Sequence, residues 1–279
     1  MCTDEEHFNP TPEERRRIQI AHEVYQRMAG FTASCITAIA RPVANDEGDF
    51  IGSGSFVVFG GQTFLVTAAH VATDAQTGSL YGAAFSNGDG KRYQVVTAPI
   101  LVNENIDIGI APVTLERPPD STRLAWPSSQ VATSAGSLDD QLFVHGFPGE
   151  RSRFLRMNQG INSRTLPYGA TSVTPAWSGY NPDEHFAISF DPRYPEYPDG
   201  TSATLPDPAG MSGSPVWNTR RREVGEHWQP TDARLIGVIH RFDRTANCLI
   251  GSRIEHIHGL VARYIQEQQS QQSTRISHA

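Results

Sequence analysis

Two kinds of hydrophobic spacing alternate along the chain. From Thr11 onward, Ile18, Ala21, Val24, Tyr25 and Met28 recur on one helical face. Ahead of them, Thr11-Pro12-Glu13-Glu14 supplies an N-cap, a proline at the first helical position and a capping-box glutamate, and Gly30 supplies a stop. A helix laid on its own domain through that stripe is expected, the alternative being an arm that takes a regulatory protein partner. After Ala33 the pattern changes to short apolar runs between Gly, Asn and Asp. Residues 34–40, 55–59, 63–67, 94–101 and 106–113 read as strands, with Gly60-Gly61 as a hairpin turn. A second strand-rich half includes 142–146, 185–190, 215–217 and 235–240, and the Pro- and Ser-rich 115–140 between the halves reads as a linker. Helical spacing returns over 253–268, where Ile254, Ile257, Leu260, Val261 and Tyr264 align, and the Gln/Ser-rich end, 269–279, reads as disordered. Many short strands with turn signals predict an all-β sandwich or barrel architecture.

Composition narrows what this scaffold does. The 279 residues hold one large domain or two modest ones, and 38% are hydrophobic, enough for a sizeable core. The balance of 23 basic and 30 acidic residues, −7 in all, argues against a nucleic-acid partner. No stretch is apolar enough for a membrane span, and the polar first 17 residues do not read as a signal peptide, so a cytoplasmic location is expected. The single lysine, Lys91, is followed by Arg92, which removes a P-loop, and any lysine nucleophile or Ser–Lys dyad has only that residue to use. Three cysteines, Cys2, Cys35 and Cys248, supply neither a four-Cys zinc site nor a disulfide framework. His256-Ile257-His258 has no evident third ligand. No metal or cofactor is expected, and the chemistry falls to hydroxyls, carboxylates and the ten histidines.

Three segments bring such groups into conspicuous settings. Phe64-Leu65-Val66-Thr67-Ala68-Ala69-His70 runs a strand into small residues and ends on a histidine. Asn105-Ile106-Asp107-Ile108-Gly109-Ile110 sets a carboxylate in an apolar run, where it needs partners to offset desolvation. Pro208-Ala209-Gly210-Met211-Ser212-Gly213-Ser214-Pro215 holds a serine in a glycine-rich turn before a strand. Taken singly, each has a structural explanation. Together they supply a base, an orienting acid and a nucleophile.

In that order the segments resemble the chymotrypsin-like (trypsin-like) serine peptidases. Thr67-Ala68-Ala69-His70 is similar to the family's Thr-Ala-Ala-His, Asp107-Ile108-Gly109-Ile110 to its Asp-Ile-Ala-Leu, and Gly210-Met211-Ser212-Gly213-Ser214-Pro215 to its Gly-Asp-Ser-Gly-Gly-Pro. Gly52-Ser53-Gly54-Ser55, Gly146-Phe147-Pro148-Gly149, Ile236-Gly237-Val238-Ile239 and Gly251-Ser252-Arg253-Ile254 extend the likeness over residues 32–268. The resemblance implies two six-stranded antiparallel β-barrels with an N-terminal and a C-terminal helix. The parts would be a helical arm over 1–31, a first barrel over 32–125 with His70 and Asp107, and a second barrel over 126–268 with Ser212.

It also implies a serine endopeptidase acting on protein or peptide substrates through an acyl-enzyme. Ser212 is then the nucleophile, His70 the general base and Asp107 the orienting acid, with the Gly210 and Ser212 N–H groups as oxyanion hole. A non-catalytic binding module on the same fold is the alternative.

Met211 stands where secreted animal members carry an aspartate that pairs with a newly cut N-terminus, so activation by such cleavage is not expected. Val71 stands where disulfide-bonded members have cysteine. Asp207 and His240 are the candidate substrate-binding residues, Asp207 for a basic side chain unless it is a solvated loop aspartate, His240 for a Glu or Gln side chain. The long 158–208 segment, with Trp177, Tyr180, Tyr194 and Tyr197, reads as a lid, a substrate wall or padding on the barrel.

Overall fold

The computed structural model describes residues 11–43, 47–76, 81–84, 93–94, 100–113, 125–155, 160–191 and 205–277. Cys2, Lys91, Tyr194 and Tyr197 lie outside them. In chain order come α1 (Pro12–Thr32), β1 (Ile36–Val43), β2 (Glu47–Phe59), β3 (Gln62–Thr67), α2 (Ala69–Gln76), β4 (Tyr81–Ala84), β5 (Tyr93–Gln94), β6 (Leu101–Asn103) and β7 (Ile108–Pro112). The second half adds β8 (Leu142–Gly146), β9 (Ser152–Leu155), β10 (Gly160–Ser163), β11 (Leu166–Ala170), β12 (His185–Ser189), β13 (Pro215–Asn218), α3 (Arg221–Val224), β14 (Arg234–Asp243), β15 (Cys248–Arg253) and α4 (Ile254–Ser277).

These strands form two antiparallel sheets, a seven-stranded one ordered β5-β4-β1-β2-β3-β7-β6 and a six-stranded one ordered β11-β8-β13-β14-β15-β12. A short ribbon, β9–β10, pairs with neither sheet and lies beside β2. The architecture is the all-β, chymotrypsin-like double barrel flanked by two terminal helices.

Local chemistry explains the joints. Gly60 and Gly61, at φ +56 and +83, make the tight turn from β2 to β3, a backbone that residues with a Cβ resist. Thr11 caps α1 reciprocally with Glu14, each side chain meeting the other's backbone N–H, an arrangement worth about 1 kcal/mol. The helix does not stop at Gly30. It continues to Thr32, whose hydroxyl bonds to the Met28 carbonyl and to buried His145 Nδ1 at 2.6 Å, while Phe31 packs on Trp126.

The largest core cluster lies where the sheets and both helices meet. It joins Val24 and Met28 of α1, Phe64 and Ile110 of the first sheet, Phe143 and Leu235 of the second, and Ile257 and Leu260 of α4. At its centre Trp126 and Trp217 meet edge to face, centroids 4.3 Å apart, both fully buried. Trp126 belongs to the stretch expected as a linker, and residues 125–131 instead bridge Val57 on one side and Leu235 on the other. The apolar stripe of α1 is thus spent inside its own fold. The 158–208 segment contributes strands: β10 to the ribbon, β11 and β12 to the edges of the second sheet.

α4 runs past 268 to Ser277. No Gly or Pro interrupts Gln268–Ser277, and Ser270 and Ser273 bond back to the carbonyls of Gln266 and Gln269, so polar composition alone does not end the helix. No helix among the described residues is long and apolar enough to cross a membrane.

Candidate active site

His70 does not cap a strand. β3 ends at Thr67, and His70 is the second residue of α2. Its backbone N–H donates to Asp107 Oδ1 at 3.0 Å, and its Nδ1 lies 2.7 Å from Asp107 Oδ2. One carboxylate therefore fixes both the ring and the helix turn that carries it.

Asp107 likewise sits just ahead of β7, in the turn that leaves β6, with φ +51. That left-handed conformation is tolerated by aspartate better than by the branched residues beside it. It turns the carboxylate out of the apolar run toward α2. Ser252 of β15 reaches across to the Ile106 carbonyl and ties this turn to the second sheet. Burial works to raise the Asp107 carboxyl, but the two His70 hydrogen bonds and the charges of His70 and His240 outweigh it and hold the group below its ordinary value.

Ser212 sits in the turn before β13. Within that turn Met211 N–H bonds to Pro208, Gly213 N–H to Ile239 and Ser214 N–H to Met211. The Gly210 and Ser212 N–H groups take no part in these bonds. Gly210 and Gly213 have φ +91 and +88. A Cβ on Gly213 would lie 1.9 Å from the Ser53 carbonyl oxygen, so glycine is required both for conformation and for close approach.

Ser53 is the strut that motif reading overlooked. Its N–H donates to the Ser212 carbonyl at 2.8 Å, its hydroxyl to the Gly210 carbonyl at 2.8 Å, and its carbonyl accepts from Thr67 Oγ1 at 2.7 Å. The serine turn is thereby fastened to β2 and β3, the strands that lead to His70. The available signal was the small residue between two glycines, Gly52-Ser53-Gly54. Met211 is fully buried in the second core cluster, its sulfur 3.9 Å from Ser214 Oγ, and it has no carboxylate for an N-terminal amine.

The Ser212 hydroxyl lies 3.4 Å from the His240 carbonyl, and His240 Nδ1 lies 3.7 Å from Asp107 Oδ2. His240 thus links the serine turn to the His70–Asp107 pair, with its ring directed at Asp107. Asp207 lies on the serine loop, where its oxygens accept from Ala209 N–H at 2.9 Å and Arg244 at 2.8 Å. These two donors, in that order, lower its carboxyl pKa. Beside the pair, a cleft of about 740 Å³ runs between α2, the β6–β7 turn and β14. Trp177, Phe242 and Arg241 form one wall and Asp74 and Glu104 line the other. Arg241 lies over the Trp177 ring at 4.7 Å.

Two other histidines serve the frame. His145 is bonded to Thr32, and burial drives its pKa down to about 3. His258 Nε2 meets the Ala132 carbonyl at 2.8 Å.

Two antiparallel sheets, a His–Asp pair that joins α2 to the β6–β7 turn, and a serine in a glycine turn fastened to β2 and β3 define a chymotrypsin-like protein. The comparisons with known proteins identify it further. Residues 52–225 match the trypsin-like peptidase domain, and the chain belongs to that family. It is a serine peptidase, a hydrolase of protein or peptide substrates. Among solved structures, the active form of the Rv3671c protease from M. tuberculosis is similar at 15% identity, covering 91% of this chain and 87% of that one, with a TM-score of 0.49. The inactive form of a serine-to-alanine mutant of Rv3671c from the same organism is similar at 15% identity, with coverages of 92% and 94% and a TM-score of 0.48. No curated protein matches the chain.

Proposed function

We propose that this chain is a serine endopeptidase whose triad is Ser212, His70 and Asp107. The observation that carries the reading is the double hold of Asp107 on His70, through the ring and through the backbone. With Nδ1–H donated to the carboxylate, Nε2 is the ring's basic atom and takes the Ser212 proton as Oγ attacks the peptide carbonyl. The resting hydroxyl lies toward the His240 carbonyl and must leave it to be deprotonated. The N–H groups of Gly210 and Ser212 then stabilise the tetrahedral oxyanion. Collapse expels the amine, protonated by His70, and leaves an acyl-enzyme that water hydrolyses by the same steps reversed.

The two barrels are assigned to 32–125 and 126–268. Asp207, already bonded to Arg244, offers little free charge to a basic substrate side chain. A regulatory partner on α1 would have to use its exposed charged face. Buried Cys35 and Cys248, not joined in a disulfide, support a cytoplasmic protein.

A fluorophosphonate probe tests the triad. Labelling of the wild type that disappears in Ser212→Ala and weakens in His70→Ala is expected. No labelling of the wild type under any condition would return the chain to the alternative, a binding module on this fold.

A further inference from the structure

Asp107 lies between two imidazoles. His70 holds one side, and His240 Nδ1 stands 3.7 Å from the same Oδ2 atom on the other. The backbone places His240 there by a specific device. The pairing of β14 with β15 runs Ile239↔Gly251 and then Arg241↔Ile250, so His240 is the extra residue of a β-bulge. A bulge re-aims a side chain that regular alternation would send elsewhere.

The ring is enclosed. Its side chain is 4% exposed, with His185 at 5.2 Å and Trp177 at 6.0 Å between ring centroids. Nε2 is buried without a hydrogen-bond partner among the described residues. The charged or titratable groups facing it are Asp107 from the β6–β7 turn, His185 from β12, Arg241 beside it on β14 and His70 from α2. Burial dominates the attraction of Asp107 and takes the ring's pKa down to about 4, so it is neutral near pH 7.

A neutral imidazole has one N–H. On Nε2, that proton would be a buried donor without an acceptor, and the Nδ1 lone pair would face a carboxylate. On Nδ1, the N–H faces Asp107 and only a lone pair goes unmet. The second arrangement costs less.

We propose that His240 is a positioning residue, a neutral imidazole whose Nδ1–H holds the Asp107 carboxylate in register with His70 while its backbone carbonyl holds the resting Ser212 hydroxyl. The proposal rests on the triad reading above. It withdraws the His240 ring from substrate recognition, because the ring is turned to Asp107. At 3.7 Å the contact is a directed dipole rather than a full hydrogen bond, so its loss costs less than loss of the His70–Asp107 pair.

The test compares wild type with His240→Phe, which keeps the ring but has no donor, and His240→Asn, which keeps a donor, in peptide hydrolysis over about pH 5 to 9. For His240→Phe, kcat should fall roughly tenfold to a hundredfold, less than for loss of an oxyanion donor, with KM unchanged. Its acid limb should move upward by about half a pH unit, because Asp107 relieved of a donor retains the His70 proton more strongly. His240→Asn should recover most of the loss. Unchanged kcat in His240→Phe, a change in KM alone, or equal losses in both variants without movement of the acid limb would each overturn the proposal.

Histidine ¹⁵N spectra of the full chain test the same point without turnover. A neutral His240 protonated on Nδ1 near pH 7 is expected, and protonation on Nε2 refutes the assignment. A wild type that never labels with the fluorophosphonate removes the triad reading, and these spectra still decide how His240 meets Asp107.

Discussion

One side of the cleft presents His70 with 48% of its side chain exposed, on a short helix held by a turn, whereas the opposite side presents His240 with 4% exposed, on a bulged strand. Both rings approach the same carboxylate oxygen. The exposed side is formed by the short helix α2 and the β6–β7 turn, with Asp107 in a left-handed conformation. The buried side is formed by sheet and by glycines in close contact with backbone. On the proposed triad and the proposed role of His240, the difference separates two tasks. A ring that passes a proton must take either charge state and reach solvent and substrate. A ring that steadies a carboxylate must remain uncharged, which burial enforces.

The strongest way to break this contrast is to remove the charge the two sides share. Asp107→Asn keeps a residue that accepts the left-handed backbone but makes the His70 tautomer wrong for deprotonating Ser212. Peptide hydrolysis should then lose roughly 10⁴-fold in kcat. A loss below about tenfold would show that Asp107 does not orient the base.

The next test is mechanical. Gly213 and Gly61 both have positive φ, +88 and +83, but a Cβ at Gly213 would collide with Ser53 and Thr67, whereas one at Gly61 meets nothing within 4 Å. Gly213→Ala should destabilise by about 3 kcal/mol or more in denaturant unfolding, while Gly61→Ala should cost about 1–2 kcal/mol for its backbone alone. Equal effects would mean that the serine turn is not tightly clamped by β2 and β3.

The mildest test is acid. His145 and His240, both buried, have pKa values lowered to about 3 and about 4. The unfolded chain binds their protons first, so stability is greatest above about pH 6.5 and declines as pH falls below it. Each contributes a slope of about 1.4 kcal/mol per pH unit within its window, and depressed Asp107 extends the decline at lower pH. Denaturant midpoints that stay level between about pH 7 and 5 would show that these rings are not held neutral.

Much of this was legible in the chain. The Thr11–Glu14 cap, the Gly60-Gly61 turn and the apolar runs of β3, β8 and β12 depend on neighbours within a few residues, and each lies where its spacing placed it. The three chemical segments were conspicuous because their residue types suit their surroundings poorly. Less legible was anything settled by distant contact. Residues 125–131 looked like linker because Pro and Ser dominate them, yet Trp126 finds Trp217 and becomes the centre of the core. Gly30 looked like a stop, but Phe31 and Thr32 gain more by packing on.

The sequence by itself determined the set of reactive groups: one serine in a glycine turn, one histidine after small residues, one aspartate in an apolar run, and almost no lysine to compete with them. Local pattern sufficed because residue identity and short-range backbone preference are properties of a few consecutive positions. Only the tertiary structure decided that Ser53 clamps the serine turn, that Arg244 occupies Asp207, and that His240 Nδ1 comes within 3.7 Å of Asp107. Those outcomes depend on strand register, on a one-residue bulge and on contacts between residues far apart in the chain. A shift of one position reverses which face a side chain takes, and no local signal fixes it.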